Sequence, residues 1–375
     1  MRSNYKKLGQ FIKDVSVKNK ALEVELLLGV SITKRFIPSI ANTVGTDMSK
    51  YKIVKRHQFA YGPVTSRNGE KISVALLEEE KCIVSTSYTV FEIVDTDHLA
   101  PEYLMMWFRR SEFDRYARYM SHGTVRELFG WQEMCGIELP VPSIEKQREI
   151  VREYNVVNDR ISLSEKLMNG LEKSAFALFE EFFPIHGHEI QTQHTSLEHL
   201  ISFNPKHTIK KNTATTYVEM ANLSENSMTI ASPIIRPFTA GSKFKNNDTL
   251  LARITPCLEN GKTAFLNMLN EDEVAYGSTE FIVMRSKGMV SPYWIYCLAK
   301  NEKFRSYAIS SMVGSSGRQR VHSDYLKEYR VASESLEQMN KFHRLIKPLF
   351  KFNSVLSKEK QKLNELKKLL LQRVV

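Results

Sequence analysis

The chain has 375 residues, of which 42% are hydrophobic and 25% are charged, and this composition of an ordinary folded protein excludes a largely disordered chain. Its formal net charge of +11 favours a polyanionic partner, because each Lys or Arg placed near a phosphate releases condensed counterions. The four cysteines are widely scattered, with no CxxC pair and no histidine at zinc-ligand spacing, so they indicate reduced core residues in a cytosolic protein.

The first predicted domain, residues 1–142, alternates short apolar segments with turn residues. Residues 81–94 are rich in β-branched and aromatic side chains, which predicts a strand, and the segment that starts at Pro101 has helical spacing. The alternation predicts a mixed α/β (α+β) domain. Two prolines close the segment, and Ser143 is typical of a helix N-cap.

A long helix is predicted next, over residues 143–184, because apolar residues recur there at alternating steps of four and three, the pattern of a coiled-coil seam. The seam consists of Ile150, Tyr154, Val157, Ile161, Ser164, Met168, Leu171, Ala175, Leu178 and Phe182. Pro184 ends this helix, and the polar residues that follow are typical of a linker.

A second mixed domain is predicted over residues 185–334, and a second long helix over residues 335–375. The seam of this helix consists of Leu349, Phe352, Leu356, Leu363, Leu366 and Leu370. Two such seams in one chain can bury each other, which predicts that the helices pair as an antiparallel coiled coil. The alternative is that each helix packs only on its own domain.

An internal repeat links the two halves of the chain. Residues 113–123 share Phe, Tyr, Ala and Gly with residues 304–314, at a constant step of 304 − 113 = 191 positions. The apolar residues of the first helix map onto the second with a step of 342 − 150 = 192. The repeat predicts a pseudo-twofold protein made of two copies of one module, a globular domain followed by a long helix. The repeated aromatic residues lie at helical spacing, which predicts a packed face rather than base-stacking platforms.

Four segments of the sequence resemble the DNA-specificity subunit of type I restriction-modification systems, and the resemblance covers both halves. They are SRNGEKISVALLEEEKCIVSTSYTVFEI at 66–93, ELPVPSIEKQREIV at 138–151, LLARITPCLENGKTAF at 250–265 and STEFIVMR at 278–285. The second joins a domain to a coiled-coil helix through the pattern LPxPxxxxQxxIV, and the last two are typical of target-recognition domains. The corresponding junction in the second half, residues 330–342, lacks both prolines.

The resemblance implies a protein with no catalytic centre and no cofactor of its own. Each target-recognition domain would recognise one half of a bipartite site in double-stranded DNA, and the helices would set the spacer between the halves. The same helices would dock two adenine-N6 methyltransferase (modification) subunits, which bind S-adenosylmethionine. A restriction subunit, a translocase and nuclease that uses ATP and Mg²⁺, would complete the complex.

The sequence lacks the motifs of those catalytic partners. An adenine methyltransferase needs a Gly-rich S-adenosylmethionine loop and an Asn/Asp-Pro-Pro-aromatic motif, and the nearest fragment, Asn204-Pro205, is followed by Lys206 where proline is required. The sequence also contains no Walker loop, no GxGxxG motif and no acidic cluster at nuclease spacing, and no metal site is expected. These absences agree with a binding role.

Candidate DNA contacts lie in polar, glycine-containing loops, where Arg, Lys, Asn and Ser side chains can contact base edges or phosphates. In the first domain they are Tyr61, Ser66, Arg67, Asn68, Lys71, Thr124 and Arg126. In the second domain the repeat points to Arg253, Thr255, Asn260, Lys262, Ser315, Ser316, Arg318 and Arg320. The alternative interpretation is that these are ordinary turns whose charges are merely solvated.

Two other functions remain compatible with the sequence. A stand-alone site-specific DNA endonuclease would cleave DNA as an isolated chain with Mg²⁺, and a coiled-coil assembly scaffold would bind proteins without binding DNA.

The sequence also predicts the compartment. Its N-terminal segment lacks the apolar core of a signal peptide, and no stretch approaches about 18 consecutive apolar residues, so we expect a cytoplasmic protein with no membrane partner.

Overall fold

The computed structural model of the chain describes residues 5–40, 45–66, 69–122, 127–184, 194–315 and 317–374. The chain forms two compact units: unit 1 comprises Met1–Arg160 and Leu363–Val375, and unit 2 comprises Ile161–Lys362. The boundaries between the units fall inside the two long helices. Each unit therefore holds one globular part together with a segment of both helices.

The strands of unit 1 are β1 (Tyr5–Lys7), β2 (Ile12–Val15), β3 (Leu28–Val30), β4 (Phe36–Pro38), β5 (Lys52–Lys55), β6 (Phe59–Tyr61), β7 (Val74–Leu76), β8 (Lys81–Val84), β9 (Thr89–Ile93) and β10 (Glu138–Pro140). Four of them form an antiparallel sheet with the strand order β2-β9-β6-β7. The helices of the unit are α1 (Pro101–Phe108), α2 (Ser111–Tyr119), α3 (Trp131–Cys135) and the first part of α4 (Ile144–Phe182). Three antiparallel pairs, β3 with β4, β5 with β8 and β1 with β10, complete the unit.

Aromatic side chains form the core between this sheet and its helices. Phe59 lies opposite Phe91 in the sheet, and their rings stack at 4.8 Å. The ring of Phe108 from α1 meets Phe113 from α2 at 4.7 Å. Each of these four side chains is at most 2% exposed, and burying one Phe contributes roughly 1.5–3 kcal/mol. The prediction that Phe113 belongs to a packed face is confirmed.

Unit 2 contains two four-stranded sheets. Its strands are β11 (His194–Ser196), β12 (Ile201–Phe203), β13 (Ala214–Val218), β14 (Ile234–Pro237), β15 (Ser242–Phe244), β16 (Thr249–Ala252), β17 (Thr263–Phe265), β18 (Ala275–Gly277), β19 (Phe281–Ser286) and β20 (Arg330–Ala332). Its helices are α5 (Leu197–Leu200), α6 (Pro292–Lys300), α7 (Glu302–Ser310), α8 (Ser323–Lys327) and most of α9 (Leu336–Gln372). One sheet has the order β12-β19-β16-β17, and the other has the order β14-β13-β18-β15 with β13 parallel to β18.

The sequence repeat is also a repeat of structure. The sheet β2-β9-β6-β7 in unit 1 has the same order and directions as β12-β19-β16-β17 in unit 2, and β1 with β10 matches β11 with β20. Helix α7 begins 302 − 111 = 191 positions after α2, and α9 begins 336 − 144 = 192 positions after α4. The predicted mixed α/β fold with an internal repeat is confirmed.

The two long helices pack against each other in an antiparallel sense, as predicted. In unit 1, Lys367 of α9 donates to the side chain of Asn158 on α4 at 2.6 Å. In unit 2, Asn353 donates to the backbone oxygen of Met168 at 3.2 Å, and Gln338 donates to the oxygen of Phe182 at 2.7 Å. Residue numbers rise along α4 as they fall along α9, which defines the direction of the pairing.

The predicted seam of α4 is largely confirmed. Its members from the start of the helix through Ala175 are buried, with the exception of half-buried Leu171. Further along, Phe179 and Phe183 are buried at 2% and 6% exposure, whereas the predicted Leu178 and Phe182 are half-buried.

The seam of α9 differs from the predicted one. Phe352 and Leu366 were predicted to lie in it but are 48% and 42% exposed, whereas Phe350 is buried. The ring of Phe350 packs on Phe265 of β17 at 5.0 Å. The prediction was wrong at both positions. At Phe352 the reason is that α9 packs on the globular part of unit 2 as well as on α4. Both arrangements that the sequence left open therefore occur together in unit 2.

Candidate nucleic-acid interface

In unit 1, two loops with predicted DNA contacts lie side by side. We call residues 62–66, 69–73, 121–122 and 127–128 loop cluster 1. Val64 forms a β-bridge with Leu128, and the backbone nitrogen of Thr65 donates to the oxygen of Glu127 at 3.0 Å. The hydroxyl of Thr65 also donates to that of Ser121 at 2.9 Å. Two segments that are far apart in the sequence thus form one surface.

The corresponding loops meet in unit 2 in the same way. We call residues 253–262 and 313–321 loop cluster 2. Ile254 forms a β-bridge with Arg320, and the backbone nitrogen of Thr255 donates to the oxygen of Gln319 at 3.1 Å. Arg320 also forms a bridge with Val313, just as Leu128 does with His122 in unit 1. Both loop clusters therefore share one backbone frame.

The candidate contacts of unit 1 differ in exposure. Ser66 and Lys71 are exposed. Tyr61 is fully buried at the end of β6, and burial raises the pKa of its phenol to about 12. The structure therefore places Tyr61 in the core beneath the loops, where its ring packs on Phe91 and Phe129. The remaining candidates lie outside the described residues; they are Arg67, Asn68, Thr124 and Arg126.

In unit 2, Ser315 and Arg318 are exposed, and Ser316 lies outside the described residues. Thr255 is buried, and its hydroxyl oxygen accepts a hydrogen bond from the backbone nitrogen of Gln319 at 3.2 Å. This hydroxyl holds the two loops together, so its role in the structure is to position them.

Two further candidates in loop cluster 2 already have protein partners. The amide nitrogen of Asn260 donates to the carboxylate of Glu225 at 3.1 Å, and the ammonium group of Lys262 donates to the backbone oxygen of Met220 at 3.3 Å. Asn260 is exposed, so DNA can compete for its amide group. Lys262 is half-buried and fixes the loop from below.

Glu280 connects the two remaining arginines of loop cluster 2. Both of its carboxylate oxygens accept from Nε of Arg320 at 3.0 Å, and one also accepts from Nη2 at 2.8 Å. Nε of Arg253 lies 4.0 Å from the same carboxylate. The pairing raises the pKa of Arg320 and fixes the plane of its guanidinium group. Sequence reasoning missed Glu280, although it lies in the quoted segment 278–285.

The two units place different chemistry at equivalent backbone positions. In unit 1, Tyr61 lies opposite Thr89 in the sheet. In unit 2, the residues at repeat steps of 253 − 61 = 192 and 280 − 89 = 191 are Arg253 and Glu280, whose backbones are joined by a hydrogen bond of 3.0 Å. An uncharged pair in unit 1 therefore corresponds to an ion pair in unit 2.

A buried ion pair supports loop cluster 1 from below. Nζ of Lys34 lies 2.6 Å from Asp114 on α2 and donates to the backbone oxygen of Ile72 at 2.6 Å. The same carboxylate accepts from the backbone nitrogen of Ile72 at 3.1 Å. Burial lowers the pKa of Lys34, and Asp114 opposes that shift. No sequence pattern links these residues, which lie 80 positions apart.

A cleft of about 680 Å³ opens beside Arg253 in unit 2. It is lined by Asn204, Pro205, Lys206, His207, Thr208, Gly241, Ser242, Lys243, Arg253, Thr279, Phe281 and Val283. We call it the basic cleft, because its described lining contains three cationic side chains and no Asp or Glu. Burial and the neighbouring charge of Arg285 lower the pKa of His207, which favours the neutral imidazole at neutral pH.

Two features are absent from the part of the chain that the structure describes. None of its helices is long and apolar enough to cross a membrane. Across the same ranges, no group of three or more His, Cys, Asp or Glu side chains is arranged to hold a metal ion.

Comparison with known proteins gives two informative similarities. No family model matches the sequence. Over 99 residues, 26% of this chain, the sequence is 28% identical to the type I restriction enzyme EcoAI specificity subunit of Escherichia coli. The match spans 17% of that relative's length. The crystal structure of the type I restriction-modification system S subunit from M. genitalium aligns over 99% of this chain and 95% of that chain, with a TM-score of 0.59 and 12% identity.

Proposed function

We propose that this chain, which has the fold of a type I restriction-modification specificity subunit, is the DNA-recognition subunit of such a system. In this proposal, loop cluster 1 and loop cluster 2 each recognise one half of a bipartite site in double-stranded DNA. The chain itself catalyses no reaction. Methylation and cleavage belong to cytoplasmic partner subunits, which bind S-adenosylmethionine in one case and ATP with Mg²⁺ in the other.

The observation that carries this proposal is the shared frame of the two loop clusters. A bipartite site with unequal halves requires two domains that present their loops alike but with different side chains. The pair Tyr61 and Thr89 in unit 1 and the pair Arg253 and Glu280 in unit 2 meet this requirement. The net charge of +11 supports a DNA partner.

The chemistry of loop cluster 2 suits the recognition of base edges. A guanidinium group donates two parallel hydrogen bonds to the O6 and N7 atoms of guanine, provided that its plane is held in the right orientation. The hydrogen bonds to Glu280 hold the plane of the Arg320 guanidinium group, which supports this role. The exposed side chains of Ser315 and Arg318 adjoin the same bridge and are suited to phosphate or base contacts.

Exposed side chains on the long helices support the proposal that these helices dock two methyltransferase subunits. Several of their apolar side chains are exposed, among them Val156 on α4 and Val355 on α9, at 69% and 60% exposure. Exposed apolar side chains on a helix pair are typical of a surface that another protein covers. Each of these helices runs without a break across the boundary between the two units. The helices would therefore set the length of the DNA spacer between the two half-sites.

Single-molecule mapping of methylated adenine in host DNA tests the proposal. The strain that carries this chain is compared with a strain that lacks its gene. We expect one split adenine-methylated motif to disappear with the gene, and this motif would reveal both half-sites. An unchanged methylation pattern, together with equal affinity of the purified chain for all DNA sequences, would contradict the proposal.

The same purified chain separates the alternatives. Cleavage of DNA with Mg²⁺ and without other subunits would indicate a stand-alone endonuclease. Binding of protein partners with no measurable affinity for DNA would indicate an assembly scaffold.

A further inference from the structure

The walls of the basic cleft are tied together before any ligand binds. Nζ of Lys243 on β15 donates to the backbone oxygen of His207 at 2.9 Å, which joins the strand to the turn at residues 204–208. At the start of this turn, Asn204 has φ of 48° and its side-chain oxygen accepts from the backbone nitrogen of Val283 at 2.9 Å. The position of the Lys243 ammonium group and the backbone of the turn are therefore fixed by the fold.

The wall at the end of β15 requires a glycine. Gly241 has φ of 144°, and a Cβ atom there would lie 2.0 Å from the backbone oxygen of Gly277. No other residue fits this close approach of two strands. The backbone at Gly241 lines the cleft in place of a side chain.

Two nitrogen atoms in the cleft are buried and have no hydrogen-bond partner within the described part of the chain. They are Nε2 of His207 and Nε of Arg253. The 4.0 Å between Arg253 and Glu280 is too long for a hydrogen bond. A buried donor without a partner is unfavourable. Nε of Arg253 is always a donor, and Nε2 of His207 is a donor in one of its two tautomers. An anionic oxygen atom in the cleft would remove this cost.

We propose that the basic cleft binds one phosphodiester group of duplex DNA, next to the half-site recognised by loop cluster 2. The inference rests on the proposed function and adds a specific contact to it. Arg253 belongs to both loop cluster 2 and the cleft, so the bound phosphate adjoins the recognised bases. Lys206 and Lys243 make the cleft selective for an anion, and such a contact positions the DNA without reporting its sequence.

The substitution Lys206→Gln tests the inference, because Lys206 is exposed and its replacement leaves the walls of the cleft intact. The dissociation constant of the full chain is measured at several salt concentrations, for a duplex with the mapped site and for a scrambled duplex. We expect the slope of log affinity against log salt to fall by about 0.9, the value for one phosphate contact. The affinity of the variant for both duplexes should fall by the same factor.

Two control variants accompany this substitution. Lys211→Gln removes a lysine that is also exposed and close in sequence but does not line the cleft. It should change the slope by less than half of the change in Lys206→Gln. Lys206→Arg keeps the charge and should keep the slope of the wild type.

Neutral methylphosphonate linkages locate the contact. They are placed one at a time along both strands that flank the second half-site. We expect one linkage to weaken binding by the wild type and by Lys211→Gln more than binding by Lys206→Gln, because that variant has already lost one of the cations that contact this phosphate.

The outcomes separate the inference from the proposed function. Suppose that the wild type prefers its site, but Lys206→Gln keeps the wild-type slope or no single linkage distinguishes the variants. The cleft then does not bind a phosphodiester, and the proposed function stands. If the wild type binds the mapped and scrambled duplexes equally, the proposed function fails and the inference fails with it.

Discussion

Charge pairing between side chains decides which cationic groups of loop cluster 2 are free to bind a ligand. Arg253 and Arg320 are both among the DNA contacts predicted from the sequence, yet both lie beside the carboxylate of Glu280. This carboxylate neutralises one of the two positive charges and fixes the geometry of Arg320. An oriented arginine loses less conformational entropy when it binds a base than a free one does.

The substitution Glu280→Gln should therefore separate affinity from specificity. Loss of the negative charge should tighten binding to a scrambled duplex, because phosphates then meet a more positive surface. Loss of the fixed orientation should reduce discrimination at one base of the second half-site by about 1–3 kcal/mol, the value of one bidentate contact. Competition binding with single-base variants of the site measures both effects.

A matched control is Glu259→Gln, which removes an exposed carboxylate from the same loop cluster. It should change affinity without changing discrimination. Unaltered discrimination in Glu280→Gln would mean that Glu280 does not orient a base-contacting arginine.

At the scale of elements, α4 is held to the globular part of unit 2 by a buried carboxylate. Glu172 is 5% exposed; it accepts a hydrogen bond from the phenol of Tyr296 on α6, and from the backbone nitrogen of Met228 at 3.0 Å. Burial raises the pKa of Glu172. Part of the surface of α4 therefore belongs to the core of unit 2.

This carboxylate should make the stability of the protein depend on pH. Because the pKa of Glu172 is higher in the folded state than its ordinary value of 4.5, unfolding releases a proton in the intervening range. The free energy of unfolding should therefore fall as the pH rises from about 4.5 through the raised pKa. Urea unfolding measures the free energy of unfolding at pH 5 and at pH 8. The decrease between these two pH values should be smaller in Glu172→Gln than in the wild type.

Glu180→Gln, at an exposed position of the same helix, serves as the control and should keep the wild-type pH dependence. Equal pH dependence in Glu172→Gln and the wild type would exclude Glu172 as the titrating group.

At the scale of the whole molecule, the pairing of α4 with α9 bears on the proposal that the helices set the length of the DNA spacer. The two helices contain 39 and 37 residues. Their contacts include an ion pair of 3.2 Å between Lys360 and Glu165, which marks matched positions on the two helices. Lengthening both helices at matched positions keeps them paired, whereas lengthening one of them shifts their register.

Insertion of four residues after Glu165 in α4 and before Lys360 in α9 should lengthen the spacer of the methylated motif. The added rise is about 6 Å at 1.5 Å per residue, close to two base pairs at 3.4 Å each. Methylation mapping of the variant should show the same two half-sites with a longer gap. Insertion into α4 alone should abolish methylation, and altered half-sites in the double insertion would show that the helices do more than set the spacer.

Local patterns in the sequence were sufficient for the repeat, the mixed α/β elements and most of the seam of α4. These features depend on periodicity and on residue type, which are visible within a few turns of chain. The loops of both clusters were also found in this way, because glycine and polar residues are typical of such turns. All of the DNA contacts predicted from the sequence stay predictions, and Arg67, Asn68, Thr124, Arg126 and Ser316 lie outside the described residues.

The tertiary structure alone decided the burial of Tyr61, the exposure of Phe352, the pairing of Glu280 with two arginines and the anchoring of Ile72 by Lys34 and Asp114. Each depends on groups that lie far apart in the chain. Phe352 is exposed because its neighbour Phe350 is buried instead, by packing on Phe265, which lies 350 − 265 = 85 positions away. Periodicity along one segment carries no information about the partner that the fold brings to it. Which surface is apolar is therefore a property of the sequence, whereas which charge is free for a ligand is a property of the fold.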